Sequence, residues 1–570
     1  MKFGMTALHR TLMAGVALSV LTAPALAKDP KRKVDEIVVY GEVIHRDRMT
    51  ITNPVLSYDL EYFQRFEPVS VGDALRRTPG VSFTSDVGEY DGAQLRGLNT
   101  AYTQILIDGR QIPGAENDRS FFVDRIPAEL IERIEIIRSP SADMSSDGIG
   151  GTVNVILREG ATLEGGYVRL SGIAHDSGDF RGSAAIAHAG SLGEANYMAH
   201  LDVQQRFNPK KKITKIFDDT GAFDEELETE QDTRDGIDYS ASFEIDMPIH
   251  EGELVWSNFA VFTDREERET VEKFEGPFGA MTLEELEAQK EFIEQLNFTT
   301  QAEFTHPVGN GEMELVFGYT KFIDDIRNLA FEADAGDPLA LDEVETIDTD
   351  DDTFFGTAAA EQDIADGVTI KMGLDVVHKR RDTDQDIDGD LFRIDLEETR
   401  IDPFAKVEFQ LFRGMFVEAG ARYETTQRDI RGIGFGGDVG SGEVNTKRLN
   451  PSVHLRYELT DNDQIRFSAA RTVRRPNFDL LTPIITEEEP GDDDILVGNP
   501  RLNQETAWGF DLGVERALGQ TGVIGLNGFF RNISGLIEPV STGVSTGSGS
   551  GTIFRPRDIG SGQVWGMGFD

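Results

Sequence analysis

The sequence predicts an all-β transmembrane antiparallel β-barrel that follows a smaller N-terminal α+β domain. From about residue 163 onward, strands of ten or more residues alternate apolar with polar side chains. In the segment FAKVEFQL (404–411), every second residue is apolar, from Ala405 to Leu411. Such alternation is typical of strands whose two faces meet different surroundings, and about 9–11 residues suffice to cross a membrane when tilted.

The connections between these strands alternate between short and long ones. Short turns are expected at 191–195, 307–311, 365–367, 412–414, 460–463 and 519–522. Long acidic loops are expected near 207–234, 265–289, 324–349, 380–397, 428–446, 475–500 and 534–553. Short turns on one side and long loops on the other are typical of outer-membrane barrels. We count about fifteen strands and the start of a sixteenth, and a soluble protein with several sheets is the alternative.

Residues 1–27 have the features of a secretory signal peptide. Lys2, His9 and Arg10 precede an apolar run that is short for a membrane span, and small residues at 25–27 form a cleavage site. The mature chain is therefore expected to begin at Lys28. A membrane anchor is the alternative.

The composition excludes several classes of function. The chain has 55 Lys and Arg against 102 Asp and Glu, a formal net charge of −47. Nucleic acid is excluded as a partner because its phosphates require a basic surface. The chain has no cysteine, which excludes disulfides and cysteine-based metal or redox chemistry. None of the nine histidines lies in a metalloprotease or triad-like motif, so we expect no enzyme.

Residues 48–158 differ from the rest of the chain and resemble a known domain. They combine helix signals with short strands and contain VGDALRRTPGVSF (71–83), AQLRGLN (93–99), ILIDGRQIP (105–113) and IPAELIERIEIIRSPSADMSSDGIGGTVNVILR (126–158). This series resembles the plug domain of the TonB-dependent outer-membrane receptors. The strand-rich part, 159–570, is similar to the barrel of that family at 470–483, 498–515 and 528–537.

The resemblance implies a plug inside the lumen of a 22-strand barrel in the Gram-negative outer membrane. It further implies import of a scarce nutrient with energy that the TonB protein delivers from the inner-membrane proton gradient. Because about 15–16 strands fall short of 22, the sequence is expected to be incomplete at its C-terminal end. We expect a monomer in contact with outer-membrane lipid. A passive porin or an outer-membrane enzyme is the alternative without TonB.

The segment DEIVVYGE (35–42), within the N-terminal stretch 28–47, favours extended backbone but has no hairpin partner. A strand with an unpaired edge can be donated to the sheet of another protein. The segment resembles the TonB box, which is the part of these receptors that binds TonB. The expected TonB-binding residues are Glu36, Ile37, Val38, Val39, Tyr40 and Gly41.

Two further sets of residues are candidates for the plug. The resemblance implies that Arg96 and Arg138 pair with glutamates of the barrel, since buried charge requires such pairing. Polar loops at 85–93 and 110–120 are candidates for ligand contacts, with Tyr90, Arg110, Asn117 and Arg119 as the expected residues.

Two local motifs lie in the expected loops. DTDQDIDGDLFRID (382–395) has the spacing of an EF-hand calcium loop, with Asp384, Asp386, Asp388 and Asp395 as ligands. It lacks flanking helices and the usual final Glu, so a solvated acidic loop is the alternative. TLEELEAQKEF (282–292) begins with a capping box, Thr282 and Glu285, and predicts a helix.

The sequence leaves the identity of the transported ligand open. Ferric siderophores are the usual cargo in the family that the chain resembles, and oligosaccharides or other nutrients are the alternative. The expected loops are acidic, which disfavours a strongly anionic ligand. No resident cofactor is expected apart from calcium in the acidic loop.

Overall fold

The computed structural model describes residues 51–59, 62–63, 65–83, 92–111, 123–158, 165–217, 223–277, 280–434, 437–483, 485–487, 495–519, 522–545 and 551–569. Within these ranges, the N-terminal domain shows the following strands and short α-helix. They are β1 (Val55–Asp59), α1 (Val71–Leu75), β2 (Val81–Phe83), β3 (Ala93–Leu95), β4 (Thr103–Ile107), β5 (Ile131–Ile137) and β6 (Gly151–Leu157). Short 3-10 turns lie at Thr100–Tyr102, Val123–Arg125 and Ala128–Leu130.

Four strands of this domain form a small mixed sheet in the order β1-β5-β6-β4. Strand β4 runs parallel to β6, and the other neighbours are antiparallel. The sheet packs on α1, whose N-cap Ser70 accepts a hydrogen bond from the backbone N–H of Asp73. Apolar residues such as Phe63, Ile126 and Ile134 are almost fully buried between these elements. This hydrophobic core continues into the longer strands described next, where Met198 and Phe259 belong to the same cluster.

Sixteen longer strands form one antiparallel sheet, called the wall below. Neighbours in sequence are neighbours in the sheet, apart from the two steps β19-β22 and β23-β26. The strands are β7 (Gly165–Ala174), β8 (Phe180–Leu192), β9 (Ala195–Phe217), β10 (Phe223–Ile249), β11 (Gly252–Glu275), β12 (Thr282–Val308), β13 (Gly311–Asp334), β14 (Ala340–Ala365), β15 (Val368–Ile387), β16 (Asp390–Phe412), β17 (Met415–Gly434), β18 (Gly437–Glu458), β19 (Asp463–Arg474), β22 (Glu505–Leu518), β23 (Gly522–Ser534) and β26 (Ser561–Phe569). The predicted fold class is confirmed, and sixteen strands agree with the strand count.

The outward face of the wall exposes large apolar side chains in the half that carries the short turns. Phe317, Phe354 and Leu512 are 65%, 47% and 56% exposed. Aromatic pairs lie on the same face, for example Tyr319 against Phe354, with ring centroids 4.9 Å apart. An apolar outer band with aromatic residues is typical of the lipid-facing surface of an outer-membrane protein. In the described part of the chain, no helix is long and apolar enough to cross a bilayer.

Most of the expected long loops are wrong, because the strands continue through them. Strands β10, β12 and β14 have 27, 27 and 26 residues. Beyond the apolar band, cross-strand ion pairs hold the polar strand ends together: Lys210 Nζ lies 2.8 Å from Asp232, and Arg234 Nε lies 3.2 Å from Glu267. Opposite charges that face each other on neighbouring strands favour strand pairing. The acidic segments expected to be loops are therefore paired strand ends.

The helix expected at 282–292 is also wrong. These residues form the start of β12 and pair with β11 and β13, with Glu285 opposite both Lys273 and Asp334. Lys273 Nζ lies 3.2 Å from Glu285 and 2.5 Å from Glu287. A local capping signal contributes about 1 kcal/mol, which two neighbouring strands with complete ladders outweigh.

Two connections remain long and fold onto each other. They contain α2 (Phe478–Leu481), β20 (Ile485–Glu487), β21 (Ile495–Val497), β24 (Ile537–Ser545) and β25 (Thr552–Asp558). The four strands form a sheet in the order β20-β21-β25-β24, and Asn499 Nδ2 donates to the Pro556 carbonyl at 3.1 Å. Phe478 and Leu481 of α2 pack with Ile394 and Ile430 of the wall. This small sheet and α2, together called the cap, lie at the end of the wall opposite the short turns.

Candidate functional site

The N-terminal domain is fixed to the wall through a buried pair of charges. Arg96, at the turn after β3, makes an ion pair with Asp511 of β22, and both side chains are at most 9% exposed. Arg96 Nη1 also donates to the Gly150 carbonyl at 3.2 Å. Arg531 of β23 lies 2.8 Å from the same carboxylate. Burial lowers the pKa of the Arg96 guanidinium, and the Asp511 carboxylate partly opposes this effect.

Arg138 lies beside this pair, and its main chain holds two contacts. Its carbonyl accepts a hydrogen bond from Arg531 Nη2 at 3.1 Å, and its N–H donates to Pro54 at 3.0 Å. Arg531 also donates through Nε to the Ile149 carbonyl at 3.0 Å. One wall arginine therefore binds two backbone groups of the N-terminal domain and one wall carboxylate.

Residues 139–148 connect β5 to β6 and are called the docking loop. Ser141 donates to the Glu418 carboxylate of β17, and the Ser146 N–H donates to Glu424 at 3.0 Å. The Ser146 carbonyl accepts a hydrogen bond from the Val473 N–H of β19 at 2.9 Å. The docking loop thus uses backbone and side-chain groups to bind several wall strands at once.

Two aspartates of the docking loop add ion pairs with the wall. Asp143 lies 3.1 Å from Lys406 Nζ and 3.6 Å from Lys371 Nζ. Burial alone would raise the pKa of Asp143, but the two lysines together hold it below its ordinary value. Asp147 pairs with Arg475 and lies 3.7 Å from Arg400.

The opposite side of the N-terminal domain contacts the first long strands. Asp124 lies 3.5 Å from Arg206 of β9, and Arg125 donates to Gln295 of β12. At the short-turn end, Arg466 Nη1 of β19 donates to the Ile51 carbonyl at 2.7 Å. Contacts therefore run from β9 to β23, and the wall curves around the N-terminal domain.

A cavity of about 340 Å³ remains between the N-terminal domain and the wall. Its inner side is formed by residues of the domain that include Leu106, Arg110 and Met144. Strands β12 to β17 form its outer side, and Phe478 of the cap contributes at the cap end. The volume falls within the range of about 300–1,000 Å³ that is typical of small-molecule sites.

Charged side chains of both signs line the cavity. Arg110 Nη1 donates to Thr357 at 3.0 Å, and its Nη2 lies 3.8 Å from Glu314. Glu314 is also 3.5 Å from Lys371. The cavity can therefore offer hydrogen bonds to a ligand on the side of the N-terminal domain and on the side of the wall.

Two family models match the chain. The model described as "TonB dependent receptor-like, beta-barrel" matches residues 218–569, and the one described as "TonB-dependent Receptor Plug Domain" matches residues 47–152. The chain belongs to the TonB-dependent receptors. Its N-terminal domain is the plug of these receptors. The chain is a transport protein rather than an enzyme.

Solved structures of receptors from this family have the same fold. A mutant of the ferric enterobactin receptor PfeA from Pseudomonas aeruginosa, in complex with enterobactin, is 16% identical with a TM-score of 0.61, over 90% of this chain and 78% of that one. The siderophore receptor PirA from Pseudomonas aeruginosa is 17% identical with a TM-score of 0.56, over 90% and 80%. The alcaligin outer-membrane receptor FauA from Bordetella pertussis is 14% identical with a TM-score of 0.57, over 91% and 77%.

The structure places only some of the predicted site residues. Arg110 lines the cavity, Arg96 pairs with the wall, and Arg138 lies beside that pair. The predicted TonB-binding residues and three of the predicted ligand residues lie outside the described part of the chain: Glu36, Ile37, Val38, Val39, Tyr40, Gly41, Tyr90, Asn117 and Arg119.

The four aspartates predicted to bind calcium lie in a tight hairpin rather than a loop. Strands β15 and β16 pair up to Ile387 and Asp390, which leaves two residues in the turn. Arg393 binds Asp384 with two contacts of 2.6 Å, while Asp386 and Asp388 accept backbone N–H groups at 2.8 Å and 3.0 Å. Asp395 lies opposite Asp382. No group of three or more acidic or histidine side chains in the described residues could hold a metal ion, and calcium stays a prediction.

The sequence alone does not predict that the docking loop contacts the wall. Its signal in the sequence is a run of Ser and Asp, SPSADMSSDG (139–148), between two apolar strands. Such a run also fits a solvated turn. Asp143 and Asp147 are buried in ion pairs with Lys406, Lys371 and Arg475. Because these partners are distant in sequence, only the structure shows the pairs.

Proposed function

We propose that the chain is a receptor of the Gram-negative outer membrane that imports a ferric siderophore into the periplasm with energy from TonB. This proposal rests on the contacts that hold the plug against wall strands from β9 to β23. The family, the apolar outer band and the siderophore receptors of the same fold support it.

The number of contacts explains why import needs an external energy source. A typical buried hydrogen bond contributes about 1 kcal/mol net, so ten such contacts give on the order of 10 kcal/mol. This corresponds to a factor of about ten million in population. A plug held in this way opens too rarely on its own, so a force applied to its N-terminal end is the means of opening.

The proposed point of attachment is the TonB box at 35–42. TonB binds this segment by strand pairing through Glu36, Ile37, Val38, Val39, Tyr40 and Gly41. Because the main chain makes these hydrogen bonds, a proline within the segment removes a donor and fixes the backbone. A conservative side-chain change at the same position leaves the pairing intact.

Uptake of a radioactive ferric chelate by a receptor-deletion strain tests the proposal. Val38→Pro is expected to abolish uptake and to leave binding at the cell surface unchanged, whereas the matched control Val38→Ala keeps both. Deleting residues 35–41 is expected to have the same effect as Val38→Pro. Full uptake by either variant would contradict energy coupling through this segment.

A second assay tests the cargo. The strain is offered ferric siderophores and labelled oligosaccharides, and the proposal expects only the chelate to be taken up in a manner that depends on residues 35–41. Uptake of the oligosaccharide alone would replace the siderophore by the alternative nutrient. Calcium in the hairpin at 384–395 is a separate proposal, which binding of radioactive calcium to the purified receptor would test.

A further inference from the structure

Among the residues that the structure describes, the cations that line the cavity are neutralised by carboxylates. Lys379 Nζ lies 2.7 Å from Asp351, and Arg400 lies 3.1 Å from Asp402. Arg422 lies 2.6 Å from Asp375 and 3.2 Å from Asp402. The other two cations, Arg110 and Lys371, share Glu314.

The cap end of β14 is rich in carboxylates. Residues 342–352 hold seven carboxylates and neither Lys nor Arg, and they alternate between the two faces of the strand. Asp351 is fully buried against Lys379 and Arg381, and Lys321 of β13 lies 3.0 Å from Asp352. This stretch therefore offers an anionic ligand carboxylates and no cation of its own.

The cavity also presents aromatic and aliphatic surface. Phe355, Phe404 and Phe478 line it together with Val376 and Leu106. Arg381 stacks on Phe478 at 4.5 Å from the ring centroid, which holds the aromatic ring at the cap end of the cavity. The lining therefore suits a ligand with apolar groups and hydrogen-bonding groups but no strong net charge.

From these pairings we infer that the cavity accepts a ferric chelate that is neutral or cationic overall, such as a trihydroxamate, and discriminates against polyanionic chelates. Three hydroxamates neutralise Fe³⁺, whereas three catecholates leave a multiply negative complex. An anionic chelate would have to separate a lining cation from its carboxylate and leave that carboxylate buried and uncompensated. The inference rests on the proposed function and specifies the substrate class of that site.

Binding to the purified receptor tests this inference. A neutral ferric trihydroxamate and a ferric tricatecholate are titrated against the intrinsic fluorescence of the protein at physiological salt. We expect the trihydroxamate to bind at least tenfold more tightly. Equal binding, or tighter binding of the tricatecholate, would overturn the inference.

Removing one lining carboxylate should shift this selectivity. Glu314→Gln removes the carboxylate beside Arg110, while Lys371 keeps Asp143 at 3.6 Å. We therefore expect affinity for the tricatecholate to rise about tenfold while the trihydroxamate changes less than twofold. Asp375→Asn, which leaves Arg422 with Asp402, provides a second variant with a smaller shift in the same direction. Glu397→Gln is the matched control, because Glu397 is 63% exposed and does not line the cavity.

The outcomes separate this inference from the proposed function. Unchanged selectivity in both Glu314→Gln and Asp375→Asn, with thermal unfolding like that of the unmodified receptor, would overturn the charge argument even if uptake requires Val38. Loss of TonB dependence would overturn the proposed function and leave the binding preference standing. Binding of a neutral oligosaccharide but of no ferric chelate would overturn both.

Discussion

Arg475, which directly follows wall strand β19, and Asp147 of the plug form an ion pair in which the two side chains are only 3% and 13% exposed. Arg475 also lies 3.0 Å from Glu424, whose other oxygen accepts the Ser146 N–H. The arginine therefore connects a plug carboxylate with a wall carboxylate that itself binds the plug backbone. The docking loop is held through one continuous network rather than through separate contacts.

Asp147→Asn is expected to loosen the docking loop without releasing the whole plug. The substitution removes the charge opposite Arg475 and Arg400 but leaves both arginines with wall carboxylates, so we expect a loss of about 1–3 kcal/mol. Hydrogen exchange at residues 143–148 measures this loss as faster exchange. Asp337→Asn, in an exposed turn, is the control, and equal protection in the two variants would refute the network.

The pair at Arg96 predicts an asymmetry between two substitutions. Arg96→Met leaves Asp511 with Arg531, so we expect a loss of about 1–3 kcal/mol in unfolding free energy. Asp511→Leu leaves two buried arginines without their carboxylate, and breaking a buried pair in this way costs about 3–5 kcal/mol. Unfolding in denaturant measures both losses, and a larger effect of Arg96→Met would contradict the shared role of Asp511.

Asp143 predicts how plug docking depends on pH. Its pKa is below the ordinary value of 3.8 when it is docked against Lys406 and Lys371. The stabilisation is therefore fully present above about pH 4 and is lost as the pH falls through the lowered pKa. A fluorescent label on a single engineered cysteine in the docking loop, possible because the chain has none, reports this release. Asp143→Asn should remove this acid-dependent part, and an unchanged transition would exclude Asp143 as its source.

Lys273 predicts how the extended strand ends are held. It lies between Glu285 and Glu287 of the neighbouring strand, so Lys273→Glu would place three carboxylates side by side. We expect hydrogen exchange at residues 283–288 to increase about tenfold, with a smaller increase in the neutral control Lys273→Gln. High salt should reduce the difference between the variants. No difference would show that backbone pairing alone extends these strands.

Parts of the fold follow from local pattern, whereas the site depends on distant residues. Alternation in segments such as that from Ala405 to Leu411 was enough to predict wall strands, because the two faces of a strand meet different surroundings. The acidic strand ends resemble loops in the sequence because the partners that pair them, such as Lys273 for Glu285, lie on another strand. The partner of Asp147 is also distant in sequence, because Arg475 is 328 positions away. Short-range rules contain no information on such pairs.

The length of the paired strands has a consequence at the cell surface. A strand of 27 residues, at about 3.3 Å per residue and tilted by about 40°, rises roughly 65–70 Å, more than twice the approximately 30 Å of the hydrocarbon layer. We therefore expect the mouth to stand on a rigid collar tens of ångströms above the lipid.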